Sequence, residues 1–96
     1  MAIIYEIKNN REKIINTALR YNVSKIKVFG SVIREEEKLD SDIDFLVDCK
    51  DECSLFDIIS LKNELEEMFK RKIDIVTEES IHWSLRDKII GEAREI

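Results

Sequence analysis

Three short segments of the chain alternate between apolar and polar residues, as strands with one buried face do. They cover residues 24–29, 42–48 and 72–77. The second segment places three apolar side chains on one face and the carboxylates of Asp42 and Asp44 on the other. The third carries one carboxylate among branched apolar residues, which favour strands. The pattern therefore predicts three half-buried strands, two of which carry acidic side chains.

Three other segments repeat apolar residues at helical spacing. They run from about 4 to 21, from the capping residue Ser54 to about 71, and from 83 to 94. We expect Trp83, at the start of the last helix, to anchor it to the core. The other side chains predicted to face inward are Ile7, Ile14, Ile15, Ala18, Leu19, Leu55, Ile58, Ile59, Leu65, Met68, Phe69, Leu85, Ile89 and Ala93.

The connections between the strands predict how the sheet is assembled. Eleven residues, 31–41, join the first two strands, which is about the minimum for a parallel crossover and favours antiparallel neighbours. A long helix joins the second and third strands, and this favours a right-handed parallel crossover. We therefore predict an α/β (α+β) fold in which residues 1–96 form one domain, with helix-strand repeats, a small mixed three-stranded sheet and a C-terminal helix.

This topology brings Asp42, Asp44 and Asp74 to one end of the sheet, beside the end of the first strand. Carboxylates held this close repel one another, and a divalent cation would relieve the repulsion. Their hard oxygen ligands suit Mg²⁺ or Mn²⁺, and two such ions can clamp the attacking and leaving oxygens of a phosphoryl transfer. The three aspartates are therefore the predicted metal ligands and catalytic residues.

A predicted phosphate-binding turn follows the first strand directly. Gly30, one of two glycines in the chain, lets the backbone approach a phosphate closely. Ser31 can offer its hydroxyl and an amide at the start of a helical turn, and Arg34 can neutralise a triphosphate. We predict that these three residues bind a triphosphate.

Composition narrows the range of partners. The 96 residues are 39% charged with a formal net charge of −5, which argues against direct nucleic-acid binding and favours a basic protein partner. No apolar run suits a signal peptide or a membrane span, so we expect a cytoplasmic protein that does not bind membranes. Cys49 and Cys53 lack further zinc ligands nearby and are interpreted as reduced thiols.

The motif Gly30-Ser-Val-Ile-Arg34, followed by Asp40-Ser-Asp42-Ile-Asp44, resembles the signature of the DNA polymerase β-like nucleotidyltransferases. The resemblance spans essentially the whole chain, and the small size of the chain matches the minimal nucleotidyltransferase branch. One departure is Glu35, where the family usually has glycine; acid near the triphosphate could weaken catalysis.

The resemblance implies a role for each motif residue. Gly30 and Ser31 would hold the triphosphate of ATP, Asp42 and Asp44 would bridge two Mg²⁺ ions, and Asp74 would complete the metal site. Asp74 would also help to deprotonate the acceptor. Members of this branch look like antitoxins that form complexes with HEPN-domain ribonuclease toxins and silence them by transferring AMP to a tyrosine.

Other functions are compatible with the same residues. The chain could neutralise a toxin by binding alone, with the carboxylates as a vestigial site, or it could transfer a nucleotide to a small molecule. Small-molecule enzymes of this kind normally add a domain that binds the acceptor. A hydrolase triad of Ser31, His82 and an aspartate lacks the glycine pattern that positions such a serine.

Overall fold

The computed structural model describes residues 3–36, 41–51 and 53–96. They form four helices and four strands, with 3₁₀ turns at Gly30–Val32 and Glu78–Ser80. In chain order the elements are α1 (Ile3–Asn9), α2 (Arg11–Arg20), β1 (Val23–Phe29), β2 (Ile43–Cys49), α3 (Leu55–Phe69), β3 (Ile73–Thr77), α4 (Trp83–Glu92) and β4 (Arg94–Glu95).

The sheet has the strand order β3-β2-β1-β4. β1 and β2 are antiparallel, whereas β2 and β3 are parallel, so both predicted pairings are confirmed. The prediction of three strands is wrong, because β4 adds a fourth by pairing antiparallel with Lys27 and Val28 of β1. With two residues, β4 is too short to show an alternation in the sequence.

The main core lies between one face of the sheet and the first three helices. Ile43, Phe45 and Val47 of β2 point into it and are almost completely buried, as predicted. The remaining buried members of this cluster are Ile3, Ile7, Ile14, Ala18, Val23, Ile26, Val28, Val32, Leu61, Leu65, Phe69 and Ile73. Because this alternation turns Asp44 to the opposite face, the core also determines where the chemistry can take place.

The predicted helix over 4–21 is two helices, separated at Asn10. The Asn10 side-chain amide donates to the Glu6 carbonyl oxygen at 2.8 Å, a bond of the kind that lets asparagine compete with helical backbone pairing. The helix beginning at Ser54 is confirmed, and Ser54 and Asp57 form its reciprocal capping box.

Several apolar residues predicted to face the core are exposed instead: Leu19, Leu55, Ile59, Trp83 and Leu85. Trp83, whose predicted role was to anchor α4, has 81% of its surface exposed. None of the α4 residues is buried, although Ile89 packs partly against a small second cluster. Periodicity indicates which residues share a helical face but not how much of that face the sheet covers.

Cys49 and Cys53 form a disulfide, so the interpretation as reduced thiols is wrong. Cys49 ends β2 and Cys53 precedes α3, and their Cα atoms lie 5.4 Å apart, within the range of disulfides. Across the described parts of the chain, no helix combines the length and the apolar character required to cross a bilayer.

Candidate active site

Two of the predicted catalytic carboxylates are cross-strand neighbours. In the parallel pairing of β2 with β3, Asp44 is opposite Asp74, directly after the pair Ile43 and Ile73. Adjacent strands are about 4.8 Å apart, so the two side chains lie side by side. Since both isoleucines are buried in the main core, both aspartates project from the other face of the sheet.

The Gly30 turn packs directly against Asp44. The antiparallel register places Phe29 opposite Asp44, so the turn that follows β1 lies beside this carboxylate. Gly30 has a φ of +78°, which glycine adopts readily, and a Cβ atom there would collide with the Asp44 carboxylate. Glycine is thus required both for the backbone conformation and for the close approach.

The electrostatics of Asp44 reflect this crowding. Burial, followed by the negative charges of Asp74 and Asp42, raises its pKa to about 6, and the positive charge of Arg34 opposes this shift. Asp44 therefore senses both other predicted ligands, as expected of a shared cluster. A divalent cation between such hard oxygen donors would offset the repulsion, so this donor chemistry fits Mg²⁺ or Mn²⁺.

Asp42 lies outside the strand, one residue before the start of β2. One of its carboxylate oxygens is 4.0 Å from the Lys72 Nζ, and both side chains are partly exposed. Within residues 3–36, 41–51 and 53–96, no three His, Cys, Asp or Glu side chains are already arranged to hold a metal ion. The aspartates are thus brought to one end of the sheet but do not form a complete coordination shell.

Ser31 and Arg34 lie on the same turn as Gly30, in the order that the sequence predicted. The Arg34 guanidinium donates from Nη1 to both carboxylate oxygens of Glu92, at 3.0 and 2.9 Å, and from Nε to Glu36 at 3.2 Å. These hydrogen bonds, first of all those with Glu92, raise the pKa of Arg34 and keep it charged.

The sequence did not reveal Glu92, the last residue of α4, which lies against the Gly30 turn. It accepts a hydrogen bond of 2.8 Å from the Gly30 amide and forms the ion pair with Arg34, and its side chain is 17% exposed. Burial opposes its ionisation, but the bonds from Gly30 and Arg34 outweigh burial and lower its pKa. Sixty-two positions separate Glu92 from Gly30, so no local spacing could reveal the contact.

His82 belongs to the start of α4 rather than to a hydrolase triad. Its Nδ1 lies 2.7 Å from the Ser84 hydroxyl oxygen and accepts a hydrogen bond from the Ser84 amide. His82 thus caps the first turn of the helix.

Comparison with known proteins places this arrangement in a family. The family model described as "Polymerase beta, Nucleotidyltransferase" matches residues 12–96. A Methanocaldococcus jannaschii protein, provisionally named a protein adenylyltransferase, is 41% identical over 90 residues, which cover 94% of this chain and 97% of the relative. The protein adenylyltransferase MntA of Thermococcus cleftensis is 37% identical over 73 residues, covering 76% and 74%.

Solved structures show the same fold. One, provisionally described as a minimal nucleotidyltransferase, has a TM-score of 0.84 and 33% identity and covers 96% of this chain and 94% of its own. A toxin-antitoxin structure with AMP-PNP has a TM-score of 0.75 at 23% identity, covering 90% of this chain and 71% of its own. At that lower identity the likeness concerns the fold alone.

Proposed function

The chain belongs to the polymerase β nucleotidyltransferase family, and we propose that it is a protein adenylyltransferase acting as an antitoxin. In this proposal it transfers AMP from ATP to a tyrosine of a HEPN-domain ribonuclease toxin, in the cytoplasm. The relatives named protein adenylyltransferases support AMP as the group transferred. The toxin-antitoxin structure with AMP-PNP supports a toxin as the partner and ATP as the donor.

The observation that carries the proposal is the pairing of Asp44 with Asp74 beside the Gly30 turn. A nucleotidyl transfer needs negative side chains to hold cations and a close-fitting turn to hold phosphates. Both occur here on the face of the sheet that the main core leaves free. Their separation in the sequence makes this juxtaposition a property of the fold.

Each residue of the site has a role in the proposed reaction. Asp42, Asp44 and Asp74 would hold two Mg²⁺ or Mn²⁺ ions, which supply charge neutralisation to the triphosphate and the acceptor oxygen. The Gly30 turn and Ser31 orient the phosphates, while Arg34 adds positive charge. The acceptor oxygen forms a bond to the α-phosphorus as the bond to the bridging oxygen breaks, and pyrophosphate leaves. Asp74, which is exposed, accepts the proton of the tyrosine hydroxyl.

The test is transfer of radiolabelled AMP from ATP to a purified candidate toxin in the presence of Mg²⁺. Asp44→Asn and Asp74→Asn should each reduce labelling by roughly 10³-fold, because each removes a charge that the transition state requires. Asp48→Asn is the matched control, since Asp48 lies exposed further along β2, and it should label normally. Equal labelling by all three variants would exclude these carboxylates from the reaction.

A toxin that stays silenced by the Asp44→Asn variant would favour the second candidate function, an antitoxin that acts by binding alone. The observation in its favour is that the described residues hold no finished metal-binding arrangement. Measuring ribonuclease activity alongside the labelling separates the two functions. Under the leading proposal, silencing and labelling are lost together.

A further inference from the structure

Glu92 binds two of the three groups that the sequence assigns to the triphosphate. Its carboxylate accepts from the Gly30 amide at 2.8 Å and from Arg34 Nη1 at 3.0 and 2.9 Å. One acidic side chain near the end of α4 therefore joins the backbone of the phosphate-binding turn to the arginine of the same turn. Charge-assisted bonds of this length are the strong ones among protein hydrogen bonds.

The donors that remain indicate what this contact does. Within the described parts of the chain, no hydrogen bond uses the Ser31 hydroxyl or Arg34 Nη2. Glu92 thus occupies Nη1 and the Gly30 amide but leaves a hydroxyl and a guanidinium nitrogen for a phosphate. A side chain that simply took the place of the phosphate would be expected to occupy those donors too.

Glu92 is itself firmly held. Arg94 Nη1 donates to the carbonyl oxygens of Gly91, Glu92 and Ala93, at 3.0, 3.1 and 3.1 Å. Ala93 is buried in the second cluster, and Arg94 pairs with Val28 of β1, two residues before Gly30. The backbone on both sides of Glu92 is therefore fixed to the strand that leads into the turn, as a permanent support requires.

We propose that Glu92 is a positioning residue that braces the Gly30 turn and orients Arg34 for the triphosphate, an inference that rests on the proposed nucleotidyl transfer. Its role is to fix the donors that meet the β- and γ-phosphates. It does not contact the reacting atoms. Binding of the nucleotide leaves the Glu92 contacts in place.

The test measures binding of two ligands by calorimetry with Mg²⁺: a non-hydrolysable ATP analogue and AMP. Glu92→Gln should weaken binding of the analogue by about tenfold and change AMP binding by less than about twofold, since AMP lacks the phosphates that Arg34 would meet. Glu36→Gln is the matched control, because it removes a carboxylate from the same guanidinium at an exposed site. It should change binding of either ligand by less than about twofold.

A double-mutant cycle then tests whether Glu92 acts through Arg34. With Arg34→Gln already present, adding Glu92→Gln should weaken binding of the analogue by less than about threefold, because the group that Glu92 orients is gone. Circular dichroism confirms that each variant is folded.

Three outcomes would overturn the inference: tighter binding of the analogue by Glu92→Gln, equal losses for the analogue and AMP, or a loss no larger than that of Glu36→Gln. Tighter binding would instead identify Glu92 as a competitor of the phosphate. If the wild-type chain bound neither ligand, the proposed function would fail, and this inference with it. Wild-type binding with an unaffected Glu92→Gln variant would overturn the inference alone.

Discussion

The two faces of the sheet differ in how they use their side chains. One face is covered by helices and contributes to a cluster of fifteen buried residues. On the other, the described residues form a buried cluster of four, Phe29, Leu46, Ile81 and Ala93, next to the Asp44–Asp74 pair. The first face, here called the packed face, can supply most of the apolar burial that stabilises the fold, and the other is called the open face. The open face can then hold carboxylates that repel one another. The same repulsion would cost too much stability if the fold needed apolar burial on both faces.

The largest effect on stability should separate two phenylalanines on neighbouring strands. Phe45 is completely buried in the packed face, so Phe45→Ala should lower the free energy of unfolding by about 3–5 kcal/mol. Phe29 belongs to the small cluster on the open face, where neighbours can relax, so Phe29→Ala should cost at least about 1 kcal/mol less. Urea denaturation measures both, and equal losses would contradict the division between the faces.

A smaller effect on stability should come from the Asp44 carboxylate, which is crowded by other negative charges. Because the pKa of Asp44 is raised from 3.8 to about 6 in the folded state, the folded chain binds more protons than the unfolded chain between these values. The contribution of Asp44 to stability is therefore most favourable below about pH 4 and is lost as the pH rises through 6. Without Mg²⁺ at pH 7.5, Asp44→Asn should stabilise the fold by about 1 kcal/mol, allowing for solvent screening.

Thermal unfolding measures this difference as a function of pH. The melting temperature of Asp44→Asn should exceed that of the wild type by about 4–8 °C at pH 7.5 and match it near pH 4. Asp48→Asn, on the same strand but exposed, serves as the control. A destabilised Asp44→Asn variant at pH 7.5 would show that the carboxylate is paired rather than crowded.

The smallest expected effect on stability concerns Glu35, the residue directly after Arg34. Glu35 has a φ of +57°, a left-handed conformation that costs side chains with a Cβ atom about 1 kcal/mol. Glu35→Gly should therefore raise the free energy of unfolding by about 0.5 kcal/mol, after the entropy that glycine adds to the unfolded chain. Glu35→Ala removes the same charge but keeps the Cβ atom, so a matching gain in that variant would attribute the effect to charge.

The sequence predicts the packed face better than the open face. Alternation along β2 identifies Ile43, Phe45 and Val47 as core residues, and connection lengths predict both strand pairings. These features depend on local periodicity and chain geometry. The proximity of Asp44 and Asp74 to Gly30 could be predicted because the predicted topology brings these residues to one end of the sheet.

The parts that could not be predicted depend on contacts distant in sequence or on the extent of a surface. Glu92 is one glutamate in a chain of twenty-one acidic residues, and its role arises only because α4 returns to the Gly30 turn. Trp83 is a large apolar residue of the kind that anchors helices to a core, yet 81% of its surface is exposed. The break at Asn10 and the strand β4 are short features that periodicity over longer windows averages out.

The proposed transfer requires cations on the open face between Asp44 and Asp74, next to the Gly30 turn. A crystal soaked with Mn²⁺ and a non-hydrolysable ATP analogue tests this most directly through the anomalous signal of manganese. We expect a manganese peak about 2.0–2.3 Å from oxygens of both carboxylates, with the triphosphate against Gly30 and Ser31. A peak elsewhere, or a bound nucleotide whose cation contacts neither Asp44 nor Asp74, would contradict it.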